Sequence, residues 1–326
     1  MKKIILFSIL GILIVGGISG FFFTRYYLNH EGAPVTVEIP QGTTPKQIAE
    51  ILKSNGVIKS TFVFRAWLKI SGADKLLRSG TFNLKKEISS IKAIWHLVND
   101  SGTPVYKVTI LEGWRLEEIA EELLKQGILT EQDTFLNEAK RIKAEGFLFP
   151  STYKLPKNMP PLEVLKVMYQ EYENNILPII KSSQNKTGLS EQEIVTLASI
   201  VEREAVFNDE RPKIAAVYLN RLKIGKRLEA DPTVQYALGY NENEQRHWKK
   251  GLTYSDLKYD SPYNTYRYAG LPPAPIASPG INSVKAVLNP APDFEALYFV
   301  ADNTGRHVFS TTYHQHLQTI KAIRGK

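Results

Sequence analysis

Cysteine is absent from this chain of 326 residues. Its absence excludes disulfide bonds, thiolate metal sites and a cysteine nucleophile. The chain also has no H-E-x-x-H motif, no phosphate-binding P-loop and no glycine fingerprint of a dinucleotide-binding fold. A G-x-S-x-G nucleophile elbow is missing as well. We therefore expect no cofactor, and the enzyme classes that depend on these motifs are excluded.

Long runs of lysine and arginine are missing too, although the net charge is +8. Without such a run, no nucleic-acid partner is expected. A mild basic excess suits an anionic surface or polymer, and it equally suits ordinary solubility. His314 and His316 are two residues apart in a predicted helix and so face different ways. We read them as solvated surface residues, and no metal site is expected.

One long apolar run opens the chain. Ile4–Phe23 contains 20 residues and no charge. As a helix it would rise about 30 Å, the thickness of the hydrocarbon core of a bilayer. Two lysines before it and one arginine after it favour a cytoplasmic N-terminus. The sequence predicts a cytoplasmic tail at 1–3 and a transmembrane helix at 4–24. The bulk of a single-pass protein of the cell (inner) membrane would then lie outside the cytoplasm.

A cleaved signal peptide is the alternative for this run, but such peptides have a shorter apolar core and a small-residue cleavage site. We place a linker at 25–34.

Beyond the linker, Val37–Ile58 and Val108–Leu129 form an internal repeat with an offset of 71 residues. Each copy has an apolar start, a glycine, helical apolar spacing and a second glycine, which predicts strand, turn, helix and cap. Two copies are too few for a solenoid and indicate one β-α unit in each of two modules.

The first module is predicted at residues 35–104. Phe62–Ile70 and Ser90–Val98 have helical spacing, and Thr81–Leu84 is a short strand candidate. The module resembles a LysM-like domain, a fold that often binds N-acetylglucosamine polymers. The match is loose and covers this module alone. A spacer domain without sugar affinity is the alternative.

The rest of the chain, 106–326, is predicted to be mainly helical with a late β-hairpin. The hairpin strands are Leu297–Ala301 and His307–Ser310, and a last helix follows at about Thr312–Ile323. The fold class is therefore α+β: an N-terminal transmembrane helix, a small LysM-like α+β module, and a larger, mainly helical domain with a β-hairpin.

The segment Leu189–Val206 is the most informative for chemistry. Ser190 and Glu193 form a capping box, and apolar residues then gather on one face of the predicted helix. At about 100° per residue, Glu202 falls inside the apolar stripe and Glu204 falls just past its edge. A carboxyl among apolar side chains resists ionisation, which suits a general acid at neutral pH.

A structural role for Glu202 is the alternative: it could be a buried carboxylate that pairs with Arg211 or Arg221.

Further along, Tyr236–Tyr268 contains seven of the 16 tyrosines together with Trp248. Aromatic faces stack on sugar rings, so this segment favours a polar, ring-shaped ligand, with core packing as the alternative. A rigid loop rich in proline and glycine follows, as is typical of binding segments, and a purely structural connector is the alternative.

Seven short motifs follow one another along the chain: GFLFP at 146–150, LASIVERE at 197–204, NRL at 220–222, DPTV at 231–234, SPYNTY at 261–266, GLPPAPI at 270–276 and VFS at 308–310. Together they resemble the YceG-like family of endolytic murein transglycosylases. The resemblance spans nearly the whole chain. Glu229 stands where the family often has glutamine, and Ala274 stands where glycine is common.

The resemblance implies that Glu202 is the catalytic acid/base, and that the larger domain cleaves the β-1,4 bond between N-acetylmuramic acid and N-acetylglucosamine. Glu202 would protonate the leaving oxygen and then accept the proton of the muramic acid C6 hydroxyl, which closes a 1,6-anhydro ring. The implied partners are the glycan strands of nascent peptidoglycan and the peptidoglycan synthases (penicillin-binding proteins), beside which strand elongation would be terminated. We assign substrate positioning to Asn220, Tyr263, Asn264 and Tyr266.

Two other functions stay open. A muramidase-type hydrolase would need a second carboxylate, from Asp231, Glu229 or Asp260, within reach of Glu202. A non-catalytic peptidoglycan-binding scaffold would need Glu202 to be structural.

Overall fold

The computed structural model describes residues 32–100, 105–185 and 187–325. The predicted tail, the transmembrane helix at 4–24 and most of the linker lie outside these residues, so they stay predictions. Within the described ranges, every helix is too short or too polar to cross a bilayer.

The chain divides into two compact units. The first contains the described residues up to Tyr106, together with Lys154–Lys157. The second contains Lys107–Tyr153 and the residues from Asn158 onward. The predicted module boundary, at 104–106, lies next to this division.

The first unit packs helices against one face of a two-stranded sheet. Its elements are β1 (Pro34–Ile39), α1 (Pro45–Ser54), α2 (Thr61–Ser71), β2 (Gly80–Lys85) and α3 (Ser90–Asn99). The strands are antiparallel, with Val37 opposite Phe82. Both side chains join Phe64 and Leu68 of α2 in a buried apolar core. The helices predicted around 62–70 and 90–98 and the strand predicted at 81–84 are confirmed, whereas the LysM-like resemblance stays a prediction.

The second unit is mainly helical, as expected. Its elements, which include two strands crossed by the division between the units, are β3 (Val105–Thr109), α4 (Leu116–Lys125), α5 (Asp133–Arg141), β4 (Thr152–Pro156), α6 (Pro161–Asn175), α7 (Leu177–Ser182), α8 (Glu191–Glu204), α9 (Arg211–Lys223), α10 (Asp231–Leu238), α11 (Ile281–Leu288), β5 (Tyr298–Ala301), β6 (His307–Ser310) and α12 (Tyr313–Arg324). The predicted hairpin and last helix are confirmed, and Thr312 caps α12.

Both copies of the repeat fold as strand, turn and helix. Their shared glycines take the same backbone conformation: φ is 81° at Gly42 and 78° at Gly113, and 70° at both Gly56 and Gly127. Positive φ is the region that glycine enters without a steric penalty, which explains why both copies keep glycine there. The repeat was therefore a reliable guide to local structure.

Helix α8 lies at the centre of the second unit. The capping box of Ser190 and Glu193 is present. The sequence indicated one apolar stripe, but the helix is buried on all sides from Ile194 to Val201. Three helices (α9, α10 and α11) pack against it. Its polar residues are satisfied internally, since the Ser199 hydroxyl donates to the Thr196 carbonyl and accepts from the Ile276 N–H.

Candidate active site

Glu202 is held by three donors at the end of α8. Its Oε1 pairs with Arg211 Nη2 at 2.9 Å. Its Oε2 accepts from the Gly280 N–H at 2.9 Å and from Ser283 Oγ at 2.8 Å. The Glu202 and Arg211 side chains are only 5% and 8% exposed. This geometry favours the structural alternative for Glu202, with Arg211 as its partner, because both carboxylate oxygens already interact with donors of the protein.

The network around Glu202 connects several elements. Arg211, the first residue of α9, also donates to Ser283 on α11 at 2.7 Å. Glu112 approaches from the loop after β3, and a Cβ at Gly280 would overlap its carboxylate. Partial burial raises the pKa of Glu112, and the charge of Glu202 adds to the rise while Arg211 opposes it. These contacts fix the last turn of α8 to its neighbours.

Glu204 occupies a different environment two residues later. Its Oε1 accepts from the Tyr218 hydroxyl at 2.9 Å. The pKa of Glu204 is raised to about 7. Burial is the main cause and the negative charge of Asp231 adds to the rise, while the Tyr218 hydrogen bond and Arg203 act in the opposite direction. A carboxyl with that pKa is substantially protonated near neutral pH, as a general acid must be.

Glu204 lines an open cavity of about 420 Å³. The walls come from α9, α10, the β5–β6 hairpin and α12, which together bring carboxylates and aromatic rings to one place. Its polar and aromatic lining consists of Glu204, Tyr218, Arg221, Glu229, Asp231, Tyr266, Tyr298, Phe299, His307, Tyr313 and His316. This composition fits a polar ligand with ring faces, such as a sugar.

Two further carboxylates line the cavity. Asp231 begins α10, where the helix dipole favours a negative charge, and it accepts from the Tyr266 hydroxyl at 2.6 Å. Glu229 pairs with Arg221 at 2.8 Å. The DPTV segment forms the first turn of α10, where proline is tolerated because its N–H would have no partner in the helix.

Of the four predicted substrate residues, Tyr266 alone lines this cavity. Asn220 donates to the carbonyls of Phe294 and Ala296, just before β5. Asn264 is fully buried. Its side chain accepts from the Tyr266 N–H at 2.9 Å and donates to two loop carbonyls, so it shapes the loop that carries Tyr266.

Tyr263 packs its ring against Tyr236, with 4.8 Å between the centroids. Asp260, one of the candidate second carboxylates, accepts from the Tyr268 hydroxyl and does not line the cavity. Neither residue lines the cavity, and the positioning role of Tyr263 stays a prediction.

Several cavity residues were missed by the sequence reasoning. His307 donates or accepts through Nδ1 with Glu210 at 2.9 Å, and both side chains are nearly buried. His316 was read as a surface residue, but its ring stacks on Tyr298 at 5.3 Å, and burial lowers its pKa. No local pattern marks these residues, because the hairpin brings them back to α8 from about 100 positions away. Among the described residues, no group of three or more histidine, aspartate or glutamate side chains could hold a metal.

Comparisons with known proteins support the family resemblance. The model of the YceG-like family matches residues 37–322. A Bacillus subtilis (strain 168) protein named endolytic murein transglycosylase is 34% identical over 335 residues, which cover 93% of this chain and 89% of that protein. A protein of the same name from Streptococcus pneumoniae (serotype 2, strain D39) is 27% identical over 356 residues, which cover 94% of this chain but 62% of that protein.

A solved structure also matches. It is the crystal structure of a Listeria monocytogenes protein described as yceG-like. The TM-score is 0.56 at 29% sequence identity, and the match covers 87% of this chain and 98% of that one.

Proposed function

This chain belongs to the YceG-like family, and from that premise we propose that it is an endolytic murein transglycosylase. It cleaves the β-1,4 bond between N-acetylmuramic acid and N-acetylglucosamine in nascent peptidoglycan and leaves 1,6-anhydro-muramic acid ends. The observation that carries the proposal is Glu204, a carboxyl with a pKa of about 7 that opens into a cavity with aromatic walls.

We assign the acid/base role to Glu204 in place of Glu202. Both Glu202 oxygens are bound by Arg211, Gly280 and Ser283, so a proton transfer to substrate would require this buried network to break. One carboxyl oxygen of Glu204 accepts a hydrogen bond from the Tyr218 hydroxyl, and the other makes no hydrogen bond to the described residues. That oxygen is available to a substrate in the cavity.

The reaction needs one carboxyl in two steps. Protonated Glu204 gives its proton to the bridging oxygen as the bond from that oxygen to C1 of muramic acid breaks. The resulting carboxylate takes the proton of the C6 hydroxyl of the same sugar, and O6 forms the new bond to C1. The nucleophile belongs to the substrate, so its effective concentration is high and no water is consumed. Asp231, in the same cavity, supplies negative charge for the cationic character that develops at C1.

A muramidase-type hydrolase is the second candidate, because Asp231 lines the same cavity as Glu204. In a hydrolase, Asp231 would activate water or attack C1 directly. The two functions differ in the nucleophile, and the chemical end group of the products shows which nucleophile attacked C1.

The test is mass spectrometry of glycan strands after digestion with the purified protein. We expect fragments that end in 1,6-anhydro-muramic acid, about 18 Da lighter than hydrolysis products because no water is added. Free reducing ends would assign hydrolysis and make Asp231 the next residue to study. Absence of any cleavage by folded protein would favour a binding scaffold.

We also propose that Ile4–Phe23 anchors the chain in the cell membrane, with the N-terminus in the cytoplasm and both units outside it. Support comes from the length and flanking charges of the run. In this place the enzyme meets strands as the peptidoglycan synthases extend them, and it terminates their elongation. Protease added to spheroplasts should degrade residues 32–326 and leave a short protected fragment; a fully protected chain contradicts this topology.

A further inference from the structure

Helix α2 of the first unit has two apolar faces. One face carries Phe64 and Leu68, which are buried in the core of the unit. The other face carries large apolar side chains that are exposed, and Phe62 and Ile70 are 79% and 75% exposed. A helix that packs by one face normally presents polar residues on the other, so the exposed face requires an explanation.

The exposed apolar residues of α2 lie on one stripe of the helix. Residues 62, 63, 66, 67 and 70 span an arc of about 140° at the helical step of about 100°. Among them, Val63 and Trp67 are exposed along with Phe62 and Ile70. We call Phe62, Val63, Trp67 and Ile70 the α2 face. Helix α3 packs against α2 and exposes Ile91 and Trp95, which lie one turn apart, so apolar exposure continues on the neighbouring helix.

Basic residues border the α2 face. Arg65 and Lys69, one helical turn apart, are exposed and line a shallow groove of about 620 Å³ together with Phe62. Asp74 is the acidic residue in the same lining. Exposed tryptophan, phenylalanine and isoleucine beside arginine and lysine are typical of helices that lie in the interface of an anionic bilayer.

The segment between the apolar run and the first unit is short enough to keep this unit close to a bilayer. The apolar run ends at Phe23, and the described chain begins at Gly32. The eight residues between them can span at most about 28 Å when fully extended. If the run is the membrane anchor proposed above, the first unit cannot leave the bilayer surface by more than that distance.

We propose that the α2 face lies in the headgroup region of the membrane that holds the anchor, where Arg65 and Lys69 contact anionic lipid. The occupant of this exposed surface is therefore lipid. The apolar side chains enter the interface, and the first unit is held against the bilayer by two contacts, the anchor and α2. This inference rests on the proposed anchor and goes beyond the proposed reaction.

The absence of cysteine makes a direct test possible, because one introduced cysteine is the unique labelling site. Full-length chains carrying Phe62→Cys or Ile70→Cys are labelled with an environment-sensitive fluorophore and reconstituted in vesicles of phosphatidylcholine and phosphatidylglycerol. Nitroxide-labelled lipids then report proximity to the bilayer. The matched control is Asn83→Cys, because Asn83 is exposed on β2, on the sheet face opposite the helices.

We expect the labels at 62 and 70 to shift to the blue and to lose fluorescence to the nitroxide lipids, while the label at 83 does neither. Arg65→Glu with Lys69→Glu, added to the Phe62→Cys chain, should reduce the quenching in phosphatidylglycerol vesicles. Labels at 62 and 70 that stay as accessible to water as the label at 83 would overturn the proposal. Shielding that arises only when a second protein is added would assign the face to a protein partner and equally reject lipid.

Vesicle flotation separates this inference from the anchor on which it rests. Chains that fail to float with the vesicles would refute the anchor. Chains that float but show no quenching at 62 and 70 would refute the α2 contact alone. Neither result bears on the proposed reaction, because that reaction is tested separately on soluble glycan strands.

Discussion

Glu202 and Glu204 show how far two residues can separate on one helix. Two steps along α8 turn a side chain through about 200°, so the two carboxyls face different neighbours. Glu202 faces Arg211 and α11, whereas Glu204 faces Tyr218 and the cavity. The first is positioned to hold the helix end in place, and the second is positioned to exchange a proton with a ligand.

The role that we assign to Glu202 predicts a stability defect. Glu202→Gln leaves the charge of Arg211 buried without its counter-charge, which should lower the free energy of unfolding by about 3 kcal/mol. Glu204→Gln is the matched control at the same helix end. Since burial disfavours the charged form of Glu204, its neutral replacement should cost little or nothing. Denaturant unfolding of both variants at neutral pH checks this, and equal losses would contradict the distinction.

The pH dependence of activity tests the electrostatics of Glu204. A general acid acts in its protonated form, so cleavage should fall as the pH rises through about 7. The charge of Asp231 raises the pKa of Glu204, so Asp231→Asn should move this alkaline limb of the profile to lower pH. Tyr266→Phe, which removes the hydrogen bond to Asp231 but keeps its charge, should leave the limb close to the wild-type position.

The same raised pKa has a consequence for stability. Glu204 binds its proton more tightly in the folded chain than in the unfolded one, so its contribution to stability is full below the ordinary glutamate pKa and is lost as the pH rises through about 7. The free energy of unfolding of the wild type, compared with that of Glu204→Gln, should therefore fall over this range. A wild-type advantage that grows with pH would show that the carboxylate is favoured in the folded state.

At the residue scale, the sequence could predict where each carboxyl points but not what it meets. Helical periodicity put Glu202 inside the apolar stripe and Glu204 just past its edge. It offered Arg211 and Arg221 as partners of Glu202 but could not tell which of them would pair with it, because that depends on how α9 folds back onto α8. The candidate site lies at the end of α8, where the buried helix reaches the open cavity. In the sequence, the position of Glu204 just past the edge of the apolar stripe was the one feature that pointed to this site.

At the element scale, two of the sequence motifs contact each other. Gly146 in the GFLFP segment has φ of 83°, and a Cβ there would overlap the Pro275 ring in the GLPPAPI segment. Gly146→Ala should therefore destabilise the chain by about 3 kcal/mol or more, from backbone strain and overlap together. Gly225→Ala is the control: φ is also positive, at 66°, but open space surrounds the site. It should cost only about 1 kcal/mol. Similar melting temperatures for the two variants would contradict this packing.

Local elements were predictable where local signals set them. The capping box of α8, the two repeat copies and the hairpin each depend on residues close in sequence, and each is present. The start of α10 is ambiguous in the sequence, because a proline that follows an aspartate suits both a turn and a first helical turn. Burial of α8 on all sides depends on three other helices, and periodicity within the α8 segment carries no information about how they pack.

At the scale of the whole molecule, the division into two units predicts separable roles. The residues to which we assign the reaction belong to the second unit, so a chain that begins at residue 105, which keeps β3 whole, should retain measurable cleavage. If the LysM-like module holds glycan, this chain should bind wall sacculi more weakly than residues 32–326. Cosedimentation with sacculi and a cleavage assay measure the two properties separately. Complete loss of cleavage in a folded chain would show that the first unit takes part in the reaction.

The account depends most on Glu204 as the acid/base of a transglycosylase. The most direct measurement is the turnover of purified glycan strands by wild type, Glu204→Gln and Glu202→Gln, with the product ends identified by mass and each rate corrected for the folded fraction. We expect anhydro ends from the wild type, a loss of about 10²–10⁴-fold for Glu204→Gln, and a much smaller loss per folded molecule for Glu202→Gln. Near-normal turnover by Glu204→Gln, with Glu202→Gln folded but inactive, would contradict it and return the catalytic role to Glu202.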